Sequence, residues 1–309
     1  MSHRLRPLIC TRLVNSLIHK KMKLYYHIIA VLVVAVWGVT FINSKILLMN
    51  GFTPQDIFLV RFAMAYICIW TVSPKRLFAD SLKDEFFMVL LGLTGGSMYF
   101  LAENMAVGIT YVNNVSFIVC TAPLLTTLLG HVFVKGIRLT RWLVAGSVLS
   151  LVGVAFVVYN GSFVLHLNPL GDLLALTASL CWAVYSLLMK SVSARYGAVF
   201  ITRKVFAYGL LTILPVFLVE PWSVDFRLFA KPVVWGNFVF LGLVASFVCF
   251  LLWSLVIKRL GALTATNYVY LNPVTTLIAS AVFLNEPMNG IAYLGCGMIL
   301  FGVYISNFK

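Results

Sequence analysis

Residues 100–108, FLAENMAVG, set a carboxylate, Glu103, and an amide, Asn104, into a stretch that is otherwise hydrocarbon. An ionised carboxylate in lipid is costly, so such a group faces a cavity or a partner. Two kinds of chemistry suit it: holding an amine or other cationic group of a bound solute, or carrying the proton of an antiport cycle. The structural alternative is a side chain that snorkels outward or pairs with Arg61. Arg61 itself has a counterpart, because FLVRFAMAY (58–66) aligns with FITRKVFAY (200–208) and brings Arg61 over Arg203. A planar guanidinium grips a carboxylate through two parallel bonds. Either arginine therefore suits an acidic solute or a gate partner, and either also reaches lipid headgroups from near a membrane surface.

Trp37, Tyr99, Trp182, Tyr185, Tyr268 and Tyr270 lie in the middle of apolar segments, not only at their ends where interfacial anchors belong. Rings around a cavity bind apolar or cationic parts of a ligand; rings in a core simply pack. Pro123 and Pro273 each interrupt an apolar segment, which removes a backbone hydrogen bond and frees a carbonyl. The predicted substrate site is Trp37, Glu103, Asn104, Tyr185, Tyr270 and Asn272, with Arg61, Arg203, Pro123 and Pro273 as gate or hinge. No catalytic or metal set is expected. His27 and His131 lack partners at ligand spacing, HExxH, CxxC and Walker sequences are absent, and the six cysteines read as small apolar packing residues. No cofactor is expected.

The elements that must carry these residues follow from composition. Of the 309 residues 61% are hydrophobic and only 10% charged, with a mean hydropathy of +0.99, against roughly 25% charge in a soluble domain. This is the composition of an all-α integral membrane protein. Ten segments approach the about 20 apolar residues that cross a bilayer, near 26–48, 55–74, 86–107, 111–133, 141–160, 170–190, 199–219, 233–257, 262–284 and 289–307. The net charge of +14 is distributed as a membrane topology and not as a nucleic-acid surface. Residues 1–25 form a basic tail held in the cytoplasm by the positive-inside rule. Alternate connections from there hold Lys75, Arg76, Lys83, Lys135, Arg138, Arg141, Lys190, Arg195, Lys258 and Arg259, whereas the others hold only Arg227 and Lys231. Both ends are thus expected in the cytoplasm. Met22 followed by Lys23 would make an equally good start.

The chain is also written twice. Residues 100–133 lie over 250–283 at a constant offset of 150, matching Phe100 with Phe250, Pro123 with Pro273 and Thr126 with Thr276. Gly146 and Gly153 match Gly295 and Gly302, and Trp37 and Lys45 match Trp182 and Lys190. Five spans per copy force the second copy to enter from the opposite face. The expected domains are a first five-helix repeat at 26–160, an external linker at 161–169 and a second repeat at 170–309. Inverted repeats give two nearly equivalent packings around a site at mid-membrane.

WGVTFINSKILL, the Arg61 motif, YVNNVSFIVCTAPLLTTLLGHVF and TNYVYLNPVTTLIASAVFLNEP with its following glycine helix resemble the drug/metabolite transporter superfamily, in its ten-span EamA type. The resemblance covers residues 26–308. It implies an inner-membrane carrier, often an exporter of amino acids or other small metabolites, with the first four helices of each half around a central cavity and the fifth peripheral. One departure is Lys135–Gly136 where the second copy has Asn285–Glu286 and the family often carries an acid. The expected function is a secondary transporter of amino-acid-like or drug-like solutes working by alternating access, with small-molecule substrate and lipid bilayer as partners. Proton coupling, and the choice between monomer and homodimer, stay open. The rival readings are a membrane-embedded enzyme, for which one carboxylate is thin, and a non-transporting membrane subunit.

Overall fold

The structure, a computed structural model, describes residues 5–73, 76–110, 112–134, 140–159, 168–222, 226–283 and 289–306. The described elements are all helical. In chain order they are α1 (Leu5–Met49), α2 (Pro54–Ile69), α3 (Leu82–Gly92), α4 (Met98–Ile109), α5 (Val112–Val119), α6 (Ala122–Phe133), α7 (Arg141–Tyr159) and α8 (Pro169–Val192). The second half has α9 (Ala198–Ile213), α10 (Val216–Val219), α11 (Pro232–Val239), α12 (Cys249–Leu260), α13 (Ala262–Thr266), α14 (Asn272–Phe283) and α15 (Gly290–Ser306). Six helical stretches among the described residues are long and apolar enough to cross a membrane, and α7 and α15 are shorter apolar helices. The basic segment is not separate from the first span, since α1 already begins at Leu5. The polar connections around Lys135–Arg138 and Asn285–Glu286 lie outside the described residues.

The duplication shows in where helices break. α3 runs into α4 through a π-helical stretch at Leu93–Ser97, and α11 runs into α12 through another at Phe240–Val248. Pro123 is the second residue of α6, which two residues separate from the end of α5, and a 3-10 turn (Asn267–Leu271) precedes Pro273 at the start of α14. A proline lacks the N–H and tolerates only the first turn of a helix, so each span is cut at its proline. Lys45 donates to the carbonyl of Val107 near the end of α4 (2.9 Å), and Lys190 donates to that of Lys258 near the end of α12 (3.5 Å). Both lysines thus serve the electronegative end of the same helix of each copy.

Glycines set the closest approaches. α7 and α15 pack backbone on backbone: a Cβ at Gly153 would stand 2.7 Å from the Gly295 carbonyl oxygen, and one at Gly302 would stand 2.6 Å from that of Gly146. The glycines matched between the two copies therefore face each other within the chain. Gly92 lies equally tight on α9, where a Cβ would meet Tyr208 at 2.5 Å. Large apolar side chains such as Leu32, Leu176, Leu294, Phe301 and Tyr304 stay exposed, the outward face expected of helices whose solvent is lipid. The buried core is dominated by rings, with Phe58, Phe62, Phe206, Phe250 and Trp253 fully enclosed.

Candidate functional site

α1, α2, α4, α5, α8, α12, α14 and the 3-10 turn surround a cavity. Its rings are Trp37, Tyr99, Phe100, Trp182 and Phe250; Thr40, Arg61, Glu103 and Asn272 supply polar groups, and Phe41, Val119 and Val269 complete the wall. Six of these form three repeat-related pairs: Trp37 with Trp182, Phe100 with Phe250, and Val119 with Val269. The Trp37 and Trp182 rings meet edge to face at 5.2 Å and those of Phe100 and Phe250 lie 6.1 Å apart. Each such pair contributes about 0.5–1.5 kcal/mol beyond burial. The cage is thus built by both copies.

Its charges are not. Arg61 is 1% exposed and its Nε donates to Ser246 Oγ at 2.9 Å, while its guanidinium carbon stands 4.2 Å over the Phe100 ring. Glu103 is 6% exposed, and Tyr99, one turn earlier on α4, donates to its Oε1 at 2.7 Å. The two charges share one cavity without forming an ion pair. The terminal nitrogens of Arg61 and the second carboxylate oxygen of Glu103 have no hydrogen-bond partner among the described residues. At the matching positions the second copy has Trp253 for Glu103 and Cys249 for Tyr99. Trp253 instead packs on Trp37 with ring centres 5.0 Å apart.

Depth follows from position along the helices. Arg61 is the eighth residue of α2 and Glu103 is six residues short of the end of α4, so at about 1.5 Å per residue each lies roughly 10 Å along its helix from that helix end. Trp37 donates through Nε1 to the carbonyl of Ala245 at 3.0 Å, inside the second π-helical stretch. Such stretches commonly occur at functional sites. Trp37→Ala removes both this bond and three ring contacts. It is expected to weaken solute binding at least about tenfold, the equivalent of about 1.4 kcal/mol, as measured by equilibrium binding.

Not every predicted residue arrives there. Trp37, Glu103 and Asn272 line the cavity, and Arg61, read as a gate, joins them. Asn104 is one position round the helix from Glu103 and is fully buried off the cavity. Tyr270 follows Val269 and is likewise enclosed elsewhere. Tyr185 packs behind Trp182 with the rings tilted and their centres 5.1 Å apart, and lies against Gly95, where any Cβ would come within 2.2 Å of its ring. Arg203 is at the far end of the molecule, over Trp70 at 4.9 Å and donating to the Arg76 carbonyl. Phe100, Phe250, Val119 and Val269 were missed as lining residues, although the offset of 150 ties each to its partner. His27 bonds the hydroxyl of Tyr268 at 2.5 Å, and no cluster of metal-ligating side chains occurs among the described residues.

An all-helical chain with this many apolar helices around a charged, ring-lined cavity defines a multi-pass membrane carrier. The protein belongs to the EamA-like transporter family, whose sequence profile matches it twice, over residues 24–159 and 169–308. It is similar to an uncharacterized transporter of Archaeoglobus fulgidus, 26% identical over 92% of this chain and 97% of that one. A probable terminal-alkyne amino-acid exporter of Streptantibioticus cattleyicolor is 26% identical over 90% of this chain and 91% of its own. A probable amino-acid metabolite efflux pump of Escherichia coli is 24% identical over 91% and 94%. A solved crystal structure with 18% identity superposes with a TM-score of 0.71 over 93% of this chain and 96% of that chain, which establishes the shared fold. The family and these relatives are named as transporters, an exporter and an efflux pump.

Proposed function

We propose that the protein exports small zwitterionic metabolites of the amino-acid type across the inner membrane by alternating access. In this reading ten spans form two inverted five-helix repeats with both chain ends in the cytoplasm, and the cavity is the solute site. The observation that carries it is the pair of opposite charges, Arg61 and Glu103, held apart in one aromatic cage. The guanidinium suits a carboxylate through its terminal nitrogens. The free oxygen of Glu103 suits an ammonium, and the rings of Trp37, Trp182 and Phe250 suit an apolar side chain. The names of the exporter and the efflux pump support the same solute class. The breaks at Pro123 and Pro273 serve as hinges, because a cut span bends without losing further backbone bonds.

The test is flux in proteoliposomes of the purified protein, against a panel of amino acids, amines and carboxylic acids, with and without a pH gradient. Zwitterions with apolar side chains are expected to move fastest. A pH gradient that drives uphill movement would assign Glu103 the further task of carrying a proton; movement that only follows the solute gradient makes it a binding group alone. Flux no greater than in empty vesicles for every solute sinks the carrier reading and favours a non-transporting subunit.

A further inference from the structure

At the end of the molecule opposite the cavity charges, α3 and α9 are joined by a cluster of ionic contacts in which Asp84 and Lys204 are buried, Glu85 is partly buried and Arg195 is half exposed. Glu85, in the first turn of α3, pairs with Lys204 and accepts from the hydroxyl of Tyr208, both on α9. Its neighbour Asp84 is gripped at both carboxylate oxygens by Arg195, at 2.6 and 2.9 Å, and accepts from the Tyr196 hydroxyl at 2.8 Å. Lys258, near the end of α12, donates to the Tyr196 carbonyl at 3.1 Å. Asp84 is 2% exposed and Lys204 6%. Every ion pair found among the described residues lies at this end.

The matching seam at the other end is built differently. The residues that correspond to Glu85 and Lys204 are Trp235 and Phe62, and there α2 rests on the second π-helical stretch through Met64 and Gly242. Beyond it Phe52 meets Phe229 and Phe238 with ring centres 5.2 and 5.0 Å apart. The ion-paired seam begins at the cavity floor, because the ring of Phe206, two residues after Lys204, packs on that of Phe250 with centres 5.8 Å apart.

We infer that the Asp84–Glu85 cluster with Arg195, Tyr196, Lys204 and Tyr208 is a latch that holds this face closed beneath the cavity, so that the carrier has an ion-paired gate at one face and, at the other, a gate of rings and neutral-donor contacts such as Gln55 to Glu220 and Asn43 to Asn237, without an ion pair among the described residues. The inference rests on the carrier reading above. A buried ion pair suits a latch because its attraction is largely offset by the cost of desolvating both charges, yet losing one partner strands the other. The closed and open states therefore stay close in free energy, which alternating access requires.

The test needs no solute. In an otherwise cysteine-free protein bearing Thr40→Cys in the cavity, a charged, membrane-impermeant thiol reagent is applied from either side of oriented vesicles. Labelling from the latch face is expected to be slow, and Glu85→Gln or Lys204→Met should speed it at least about tenfold, as follows when a buried charge loses its partner, while slowing it from the opposite face. Unchanged rates from both faces overturn the latch. Where the single variants do not reach the membrane, the exchange Glu85→Lys with Lys204→Glu is used, and parental labelling rates are expected. An exchanged protein present at parental amounts but labelled rapidly from the latch face also overturns it. A wrong solute class leaves these rates untouched and shows only in flux, so the two failures are separable.

Discussion

Arg61→Gln and Glu103→Gln are each expected to weaken binding of an apolar amino acid on the order of 100-fold, while Arg203→Gln leaves it within about twofold. The magnitude follows from removing one partner of an enclosed charge contact, which costs about 2–5 kcal/mol, or about a factor of ten per 1.4 kcal/mol. The contrast between the arginines follows from position. Arg61 looks into the cavity across Phe100, whereas Arg203 packs on Trp70 and the Arg76 carbonyl at the other end. The two cavity variants are further expected to differ by solute. An amine without a carboxylate should ignore Arg61→Gln, and a carboxylic acid without an amine should ignore Glu103→Gln. Binding isotherms for the three solute types on purified protein decide it. Equal losses for all three would mean that the charges shape the cavity without touching the solute.

This division of labour explains what could and could not be read from the sequence. The duplication, the apolar segments and the two prolines are patterns of residue type and spacing, and the helix breaks fall at Pro123 and Pro273 as the chemistry of proline demands. The offset of 150 even carries the cavity wall, since Phe100 with Phe250 and Val119 with Val269 flank the same space. Helical phase was not legible. A span that is apolar all round gives no stripe to mark its inner side, so Asn104 could not be told from Glu103, nor Tyr270 from Val269. The repeat also misleads where the copies have diverged. Arg61 and Arg203 align by motif, but one joins the cage and the other the opposite seam; Glu103 aligns with a tryptophan. A duplicated frame whose charges come from one copy suits the zwitterionic solute proposed above. The latch was missed because Glu85 and Lys204 are 119 positions apart and lie in no shared motif. The tyrosine beside them, Tyr208, was visible only as the match of Tyr66.

The frame itself predicts the second large effect. Gly153→Leu or Gly302→Leu is expected to prevent accumulation of folded protein, or to lower its melting temperature by at least about 10 °C, a loss of several kcal/mol for a chain of this size. The reason is what the new side chain meets. At both positions a Cβ alone would stand within 2.7 Å of a carbonyl oxygen on the facing helix. Backbone cannot rotate away as a side chain can, so α7 and α15 must part along their length. Small residues that let backbones touch are what holds helices together where lipid gives no hydrophobic drive. Overpacking by even a methylene costs about 1–3 kcal/mol in a tight core. Gly297→Leu is the control, because it is exposed on the same helix α15 and a Cβ there meets nothing within 4 Å. It should melt with the parent. Neither α7 nor α15 contributes to the cavity wall, so whatever folded Gly153→Leu protein remains should bind solute with parental affinity. If it bound weakly while melting normally, the glycine seam would be part of the transport machinery and not only of the scaffold.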